Sequence, residues 1–271
     1  LFENEGYATA RRNTGINEIL ASKAGDTGYV MDDDSYRIFT LDPYAWKWWL
    51  NPRLHRPDFC SCYSSSTESD CDNPAIQQRL IAALEDWQKK YLRANETVKL
   101  ISHGKHILYH CDVETVCGDA EIYCFDSVID TMEDHAQTEI ITGNSFIKNV
   151  QGNAQIQCLD DHAMITNLCE NAVVHNMKDI SLIHHAYKDS QIHTMQDNSR
   201  ILSLNGNARL GTMNGHTIVD LASGQSVIEK VSCGCAVLGL SHDAQIKKVE
   251  SGATVLPLHV DGYHGSTMPF S

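Results

Sequence analysis

A period of nine residues organises the hydrophobic and polar positions of this chain from Ser145 to Leu258. The first position of each unit is small, from Ser145 to Ala253. The third is a branched aliphatic residue, from Ile147 to Val255, and the sixth is mostly Leu or Met. The last two positions favour Gly, Asp, Asn and His. Thirteen consecutive units keep this pattern, which is the signature of a repeat fold.

The period predicts an all-β fold, a parallel β-solenoid. Alternation of small and branched residues is typical of a short strand whose alternate side chains point inward. Gly, Asn, Asp and His then supply the turn, because they tolerate positive φ. We predict about 18 residues per coil, since three nine-residue sides would enclose a core too wide for Ala and Ser. The units then form about six and a half coils, a rod about 30 Å long.

The period also divides the chain. We predict a small α+β N-terminal region at 1–98, a solenoid at 99–258 with a strict nine-residue register from 127, and a C-terminal cap or tail at 259–271. The first coils are expected to be imperfect, with an irregular turn near Phe125 to Ser127.

Within the N-terminal region, the clearest predicted element is an amphipathic helix at about 74–93. Pro74 suits its first turn, and an apolar stripe follows at helical spacing. We expect this helix to cap the first coil, because an open solenoid end exposes apolar core. A second helix is expected near Asn17 to Lys23, and a strand at Tyr36 to Leu41.

The outward positions of the repeat distinguish two faces. One face is the more apolar and is predicted to bind a protein partner or a second copy of the chain; its large apolar residues are Met164, Leu182, Leu202, Ile218, Leu238 and Leu256. The opposite face is polar and is expected to be solvated; it carries Gln155, Gln191, Arg209, Glu229 and Lys247.

Two segments, Gly206 to Met213 and Gly152 to Leu159, read Gly-Asn-Ala-x-(Leu/Ile)-x-x-(Met/Leu). These repeats resemble low-complexity arrays in proteins of gut Bacteroidetes and their phages. The resemblance covers residues 127–258 at most, and it implies a fold and not an activity. The calcium-binding nonapeptide of secreted toxins has the same length, but its paired Gly and ligating Asp are missing here.

Candidate chemistry is sparse. An aromatic patch forms either a hydrophobic plug or a partner surface; it consists of Tyr44, Trp46, Trp48 and Trp49. Zinc ligands of suitable type occur at His55, Cys60, Cys62 and Cys71. Their C-x-C spacing and Ser-rich interval favour an inert or disulfide-capable loop, so we expect no metal and no cofactor. In the solenoid, His175 and His193 are expected on one face and His184 on the other.

Composition narrows the partners and the compartment. The chain of 271 residues has 35 acidic and 21 basic side chains and a net charge of -14, which disfavours nucleic acid and anionic membranes as partners. No apolar run is long enough to predict a membrane span. The ten Cys lack framework spacing, which favours a reducing, cytoplasmic compartment. Because the chain begins at Leu1, we expect that a signal peptide or an upstream domain precedes it.

The sequence therefore predicts a non-enzymatic structural or protein-binding module, part of a larger assembly such as a virion or an adhesin. One alternative is an acidic nucleic-acid mimic that inhibits a DNA-binding protein. Another is an enzyme with its site in residues 29–71 and the solenoid as scaffold, although no nucleophile–base pair stands out there.

Overall fold

The structure of this chain is a computed structural model that describes residues 89–258 in full and, before them, the backbone of five strands. These strands are β1 (Phe2–Glu3), β2 (Tyr7–Ala8), β3 (Ile16–Ser22), β4 (Gly25–Asp32) and β5 (Ser35–Leu41). The chain divides into two compact units, residues 1–93 and 94–271.

The described strands of the first unit are antiparallel. β1 pairs with β2, and β3, β4 and β5 form a sheet in that order. The strand predicted at Tyr36 to Leu41 is confirmed as β5. The helix predicted near Asn17 to Lys23 is wrong, because residues 17–22 lie in β3, which pairs with β4. Ladder pairing with a neighbouring strand overrides a weak helix propensity.

Two other sequence predictions meet the described residues only in part. The helix predicted at about 74–93 is described at residues 89–91 alone, and β6 begins directly afterwards. Its remainder, its role as a cap and the predicted tail at 259–271 lie outside the described residues.

The solenoid consists of two parallel ten-stranded sheets, which we call the even and the odd sheet. The even sheet contains β6 (Leu92–Ala94), β8 (Lys105–Tyr109), β10 (Glu121–Phe125), β12 (Gln137–Thr142), β14 (Gln155–Leu159), β16 (Val173–Met177), β18 (Gln191–Met195), β20 (Arg209–Met213), β22 (Val227–Val231) and β24 (Gln245–Ile246). The odd sheet contains β7 (Thr97–Ile101), β9 (Asp112–Val116), β11 (Val128–Met132), β13 (Phe146–Val150), β15 (Met164–Leu168), β17 (Leu182–Ala186), β19 (Arg200–Leu204), β21 (Ile218–Ala222), β23 (Ala236–Leu240) and β25 (Thr254–Pro257).

Consecutive strands alternate between the two sheets, so each strand pairs with the strand two places further along the sequence. Phe146 pairs with Met164, which pairs with Leu182, and each step is 18 residues. The parallel β-solenoid with about 18 residues per coil is therefore confirmed, and it has about 9 coils. Ten strands at parallel spacing span about 43 Å. This exceeds the predicted length because the early, imperfect coils join the same sheets.

Those early coils are shorter. Thr97 pairs with Asp112, a step of 15 residues, and Lys105 pairs with Glu121, a step of 16. A bulge in the pairing of β10 with β12 then adds a residue to the coil. The irregular turn expected near Phe125 is only two residues long, between β10 and β11, and Asp126 has a φ of 47° there.

The three columns predicted to point inward do form the core. In β15, Ile165 and Leu168 are buried, and so is Ala163 directly before the strand. The prediction is wrong at the last coil, where Val249 and Leu258 are 49% and 45% exposed. The reason is that β24 has only two residues, and within residues 89–258 no further coil stacks on β24 or β25.

In the turns from Gly152 to Gly224, the second of the four turn residues has a positive φ, as with Asp161 (φ 52°) and Gly215 (φ 75°). A Cβ added at Gly215 would lie 2.8 Å from the backbone nitrogen of Asp197 in the preceding coil. The Gly and Asp preference at this position of the repeat therefore reflects both a left-handed backbone and close stacking of turns.

We predict that Ile192→Asp unfolds the rod. Ile192 is 1% exposed, and an unpaired carboxylate in the stacked core costs on the order of 4 kcal/mol or more. Thermal unfolding followed by circular dichroism measures the effect. Gln191→Asp is the control, since Gln191 points outward from the same strand. An Ile192→Asp variant that melts like the wild type contradicts the assigned coil.

A second prediction concerns the small column. Ser190 is fully buried, and its hydroxyl has no hydrogen-bond partner among the described residues. Since Ala occupies the same column in neighbouring coils, Ser190→Ala should raise the unfolding free energy by about 1 kcal/mol. Ser199→Ala is the matched control, because the Ser199 hydroxyl donates to the Gln196 carbonyl at 2.9 Å. Chemical denaturation that ranks Ser199→Ala as the more stable variant would refute this reasoning.

Candidate protein-binding face

Each regular strand presents three outward positions. In β15 these are Met164, Thr166 and Asn167, whereas Ile165 and Leu168 point inward. We refer to them as the first, third and fourth strand positions. Sequence reasoning used only the first and third positions. The missed signal is the pair of residues between the branched and the Leu/Met columns, since both members of that pair lie outward.

The structure places the six predicted face residues in two columns of the odd sheet. Met164, Leu182 and Ile218 share the first-position column. The third-position column holds Leu202, Leu238 and Leu256. Leu238 and Leu256 are 43% and 48% exposed, and the other four are half-buried. The six residues thus share one sheet face.

Sequence reasoning missed two further apolar residues of this face. Val128 pairs with Phe146, and Phe146 pairs with Met164, so both extend the first-position column toward the N-terminal coils. Val128 is 39% exposed. Four consecutive coils therefore present a large apolar side chain at one position. The nine-residue register predicted from residue 127 contains this signal, but the sequence-based assignment of the apolar face covered only the units from residue 163 onward.

An ion pair interrupts the apolar column. Arg200 lies in register between Leu182 and Ile218, and its guanidinium donates two hydrogen bonds to Asp220, from Nε to Oδ1 at 2.9 Å and from Nη2 to Oδ2 at 2.7 Å. A bidentate pair holds the guanidinium in one orientation. Such an anchored Arg beside apolar side chains is a common feature of protein interfaces.

The even sheet is polar in comparison. Ion pairs cross between its coils, with Lys247 Nζ at 2.8 Å from Glu229 Oε1 and Lys105 Nζ at 2.9 Å from Glu121 Oε1. As predicted, His175 and His193 are neighbours on this sheet, with ring centroids 4.6 Å apart, and His184 lies on the odd sheet. The charge and hydrogen-bonding capacity of this face suit contact with water.

Several acidic side chains have a structural role at the turns. The Gly152 N–H donates to Glu170 Oε2 at 2.9 Å, and Glu170 holds the same turn position one coil later. The Gly143 N–H likewise donates to Asp161 Oδ2 at 3.4 Å. These carboxylates satisfy backbone groups that the tight turns leave without a partner. Part of the acidity of the chain is therefore explained by stacking of the turns.

One group of carboxylates has the spacing of a metal site. Oxygens of Asp160, Asp161 and Asp179 lie within 4.8 Å of one another. However, Asp161 Oδ2 already accepts from Thr142 Oγ1 at 2.7 Å, and Asp160 Oδ1 accepts from the Asp161 N–H at 2.8 Å. Burial and the hydrogen bond with Asp179 raise the pKa of Asp160 to about 6. The cluster is thus explained by hydrogen bonding within and between turns.

Cys124 and Cys158, the described thiols with the largest pKa shifts, are not activated nucleophiles. Burial raises the pKa of Cys124 to about 12 and that of Cys158 to about 11. Both thiols therefore stay protonated at neutral pH, which suppresses their nucleophilicity. The aromatic patch at Tyr44 to Trp49 and the candidate zinc ligands His55, Cys60, Cys62 and Cys71 lie outside the described residues. The same holds for most of the region 29–71 considered for an enzyme site.

Comparison with known proteins finds no matching family model, no similar curated protein and no similar solved structure. The likeness of the repeat to arrays of gut Bacteroidetes and their phages therefore stays a prediction. Among the described residues, none of the helices has the length and apolarity to cross a membrane.

Asp160 should make stability depend on pH. Its folded pKa, about 6, lies above the ordinary value of 3.8, so the stability linked to its protonated form is largely present at pH 4 and is lost as the pH rises through 6. Asp160→Asn should therefore raise the unfolding free energy at pH 7.5, by about 1 kcal/mol after allowance for solvent screening. The gain should be smaller at pH 4.

Urea denaturation at the two pH values measures this difference. Asp243→Asn is the control, because the Asp243 side chain is exposed at another turn. Equal effects of Asp160→Asn at pH 4 and pH 7.5 would contradict the assigned cause.

Proposed function

We propose that this chain is a structural or protein-binding solenoid module, and that its odd sheet is the surface that contacts a protein partner or a second copy of the chain. The observation that carries the proposal is the apolar first-position column from Val128 to Leu182, which is continued beyond Arg200 by Ile218. Large apolar side chains aligned along one face of a solvated rod are typical of interaction surfaces.

The dimensions of the face support this proposal. A sheet about 43 Å long with five-residue strands about 17 Å long has an area of about 700 Å². A standard protein interface buries about 800 Å² on each partner. The odd sheet could therefore supply most of one interface without help from the turns.

The arrangement of apolar and charged residues supports it as well. The Arg200–Asp220 pair is already complete within the chain, so a partner need not supply a counter-ion. The half-buried apolar side chains lose their remaining hydration on contact, which stabilises a complex by roughly 25 cal/mol per Å² of apolar surface.

The alternative of an acidic nucleic-acid mimic has less support. A DNA duplex about 43 Å long carries about 25 negative charges, whereas the net charge of the whole chain is -14. In addition, the carboxylates of Asp161 and Glu170 bind turn N–H groups, and Glu229 and Asp220 are paired with cations. A mimic needs rows of unpaired carboxylates.

The test replaces apolar face residues by Lys. Leu182→Lys/Ile218→Lys alters the odd sheet, and Val173→Lys/Val227→Lys is the matched control at the same strand position of the even sheet. Light scattering over a range of concentrations measures self-association, and hydroxyl-radical footprinting reports the solvation of Met164, which neither variant alters and which pairs with residue 182. We expect association and footprint protection in the wild type and in the control. Both should be lost in the odd-sheet variant.

If the partner is a different protein and not a second copy of the chain, only the expected light-scattering result changes. If the wild type is monomeric, a photo-crosslinking amino acid at position 182 should still capture one discrete partner from the native source, and the same label at position 173 should not. A monomer whose Met164 and Leu182 are fully solvated and which yields no position-specific adduct would overturn the proposal.

A further inference from the structure

Two imidazoles stand next to each other on the even sheet. His175 in β16 and His193 in β18 occupy the third strand position of consecutive coils. The flanking pairs Val174–Ile192 and Asn176–Thr194 hold the two strands in register. The backbone ladder therefore fixes the separation of the two side chains at one coil spacing.

We propose that His175 and His193 form a two-histidine site for a divalent transition-metal ion such as Zn²⁺, Ni²⁺ or Cu²⁺. The ring centroids are 4.6 Å apart and the ring planes are almost perpendicular, at 88°. An ion about 2.1 Å from one nitrogen of each ring lies about 3.2 Å from each centroid. Centroids 4.6 Å apart then correspond to an angle of about 90° at the ion, the angle between adjacent ligands of an octahedral or square-planar centre.

The comparison with the other histidine pair of the solenoid shows that this spacing is specific. The rings of His184 and His185 are 6.3 Å apart. By the same construction, their separation requires an angle of about 150° at a shared ion. Adjacent-site chelation does not allow such an angle, so His184 and His185 provide an internal reference for the proposed site.

The state of His175 also suits a ligand. Its Nε2 atom is buried and has no hydrogen-bond partner among the described residues. A polar atom removed from water without a partner is costly. Coordination of an ion would satisfy that nitrogen after rotation of the rings about their Cβ–Cγ bonds.

The column around the pair leaves room for water ligands. Gly211 follows His193 at the same position of the next coil, so this column supplies no side chain next to the His193 ring on that side. A Cβ at Gly211 would clash with the His193 carbonyl oxygen, which favours glycine at this position. Because His193 is exposed, its ring is free to turn toward an ion and water can complete the coordination.

The donor set decides which ions should bind. Imidazole suits zinc, copper and nickel, whereas magnesium prefers oxygen ligands. Gln157, one coil before His175, adds only an amide, so the proposed site has no carboxylate in its own column next to the pair. We therefore expect binding of the three transition metals and none of Mg²⁺. This proposal departs from the sequence-based expectation of no metal, but it makes no claim that folding needs one.

The test is calorimetric titration of the full chain, prepared without a histidine tag, with Zn²⁺, Ni²⁺, Cu²⁺ and Mg²⁺ separately. His175→Gln/His193→Gln should lose one equivalent of transition-metal binding or weaken it at least about tenfold, since even loss of an outer partner typically costs 10–100-fold. His184→Gln/His185→Gln removes the same number of imidazoles and should bind like the wild type. Circular dichroism confirms that each variant is folded.

Subtracting the binding curve of one double variant from that of the other removes the contribution of any other metal ligands, including those in residues 1–88. A single His193→Gln variant serves if the double variant does not fold, because His193 is exposed. Identical titrations for the wild type and the His175/His193 variants with all three transition metals would overturn the proposal. An equal loss in the His184/His185 variant would overturn it too, since the binding would then not depend on ring spacing.

Discussion

The in-register stacking of parallel coils is the constraint on which this structure depends. In the regular coils, each strand residue pairs with the residue 18 positions further along, as Ile165 does with Ile183. A side chain therefore lies directly above the residue at the same position one coil earlier. A residue that fits one coil must fit against its equivalents on both sides. The small column accordingly holds Ala, Ser, Thr or Cys and no Leu or Met. The Leu/Met column is less strict, because the buried Ala186 and Ala222 both stack against Leu204.

The same constraint acts on the turns. A turn of four residues has to reverse the chain within one coil spacing, and its second residue takes positive φ to do so. At Gly152 and Gly215 glycine meets this demand, whereas at Asp161 and Glu170 an acidic residue accepts the strained conformation. The carboxylate compensates by accepting a hydrogen bond from the turn of the neighbouring coil. One acidic side chain thus both occupies the positive-φ position and contacts the neighbouring coil. The acidic residues at these turns are therefore explained without a cationic partner.

The nine-residue period was sufficient to predict the parallel solenoid and its coil length, because the same pattern of small, branched and Leu/Met core positions recurs in every unit. It did not predict the strand of residues 16–22, where local propensity favoured a helix and pairing with β4 decided otherwise. It also failed at Val249, since a column can point inward only while another coil covers it. At the candidate face, the columns of Leu182 and Leu202 followed from the repeat. The fourth strand position did not, because strict alternation assigns it inward and the backbone of a five-residue strand places two successive residues outward.

A repeat of this kind separates the requirements of folding from those of function. Residues such as Ile183 and Ser190 are determined by their column, so they carry information about the coil and none about what the rod contacts. The outward positions are less constrained, and neighbouring coils there differ as widely as Leu182 and Arg200, or Val173 and Gln191. Selection for contacts made by the two sheets therefore acts on these columns. A run of four apolar residues on one sheet and a pair of histidines on the other are departures from the variety expected of unconstrained positions. Such departures, and not the repeat itself, are where the function of a solenoid has to be sought.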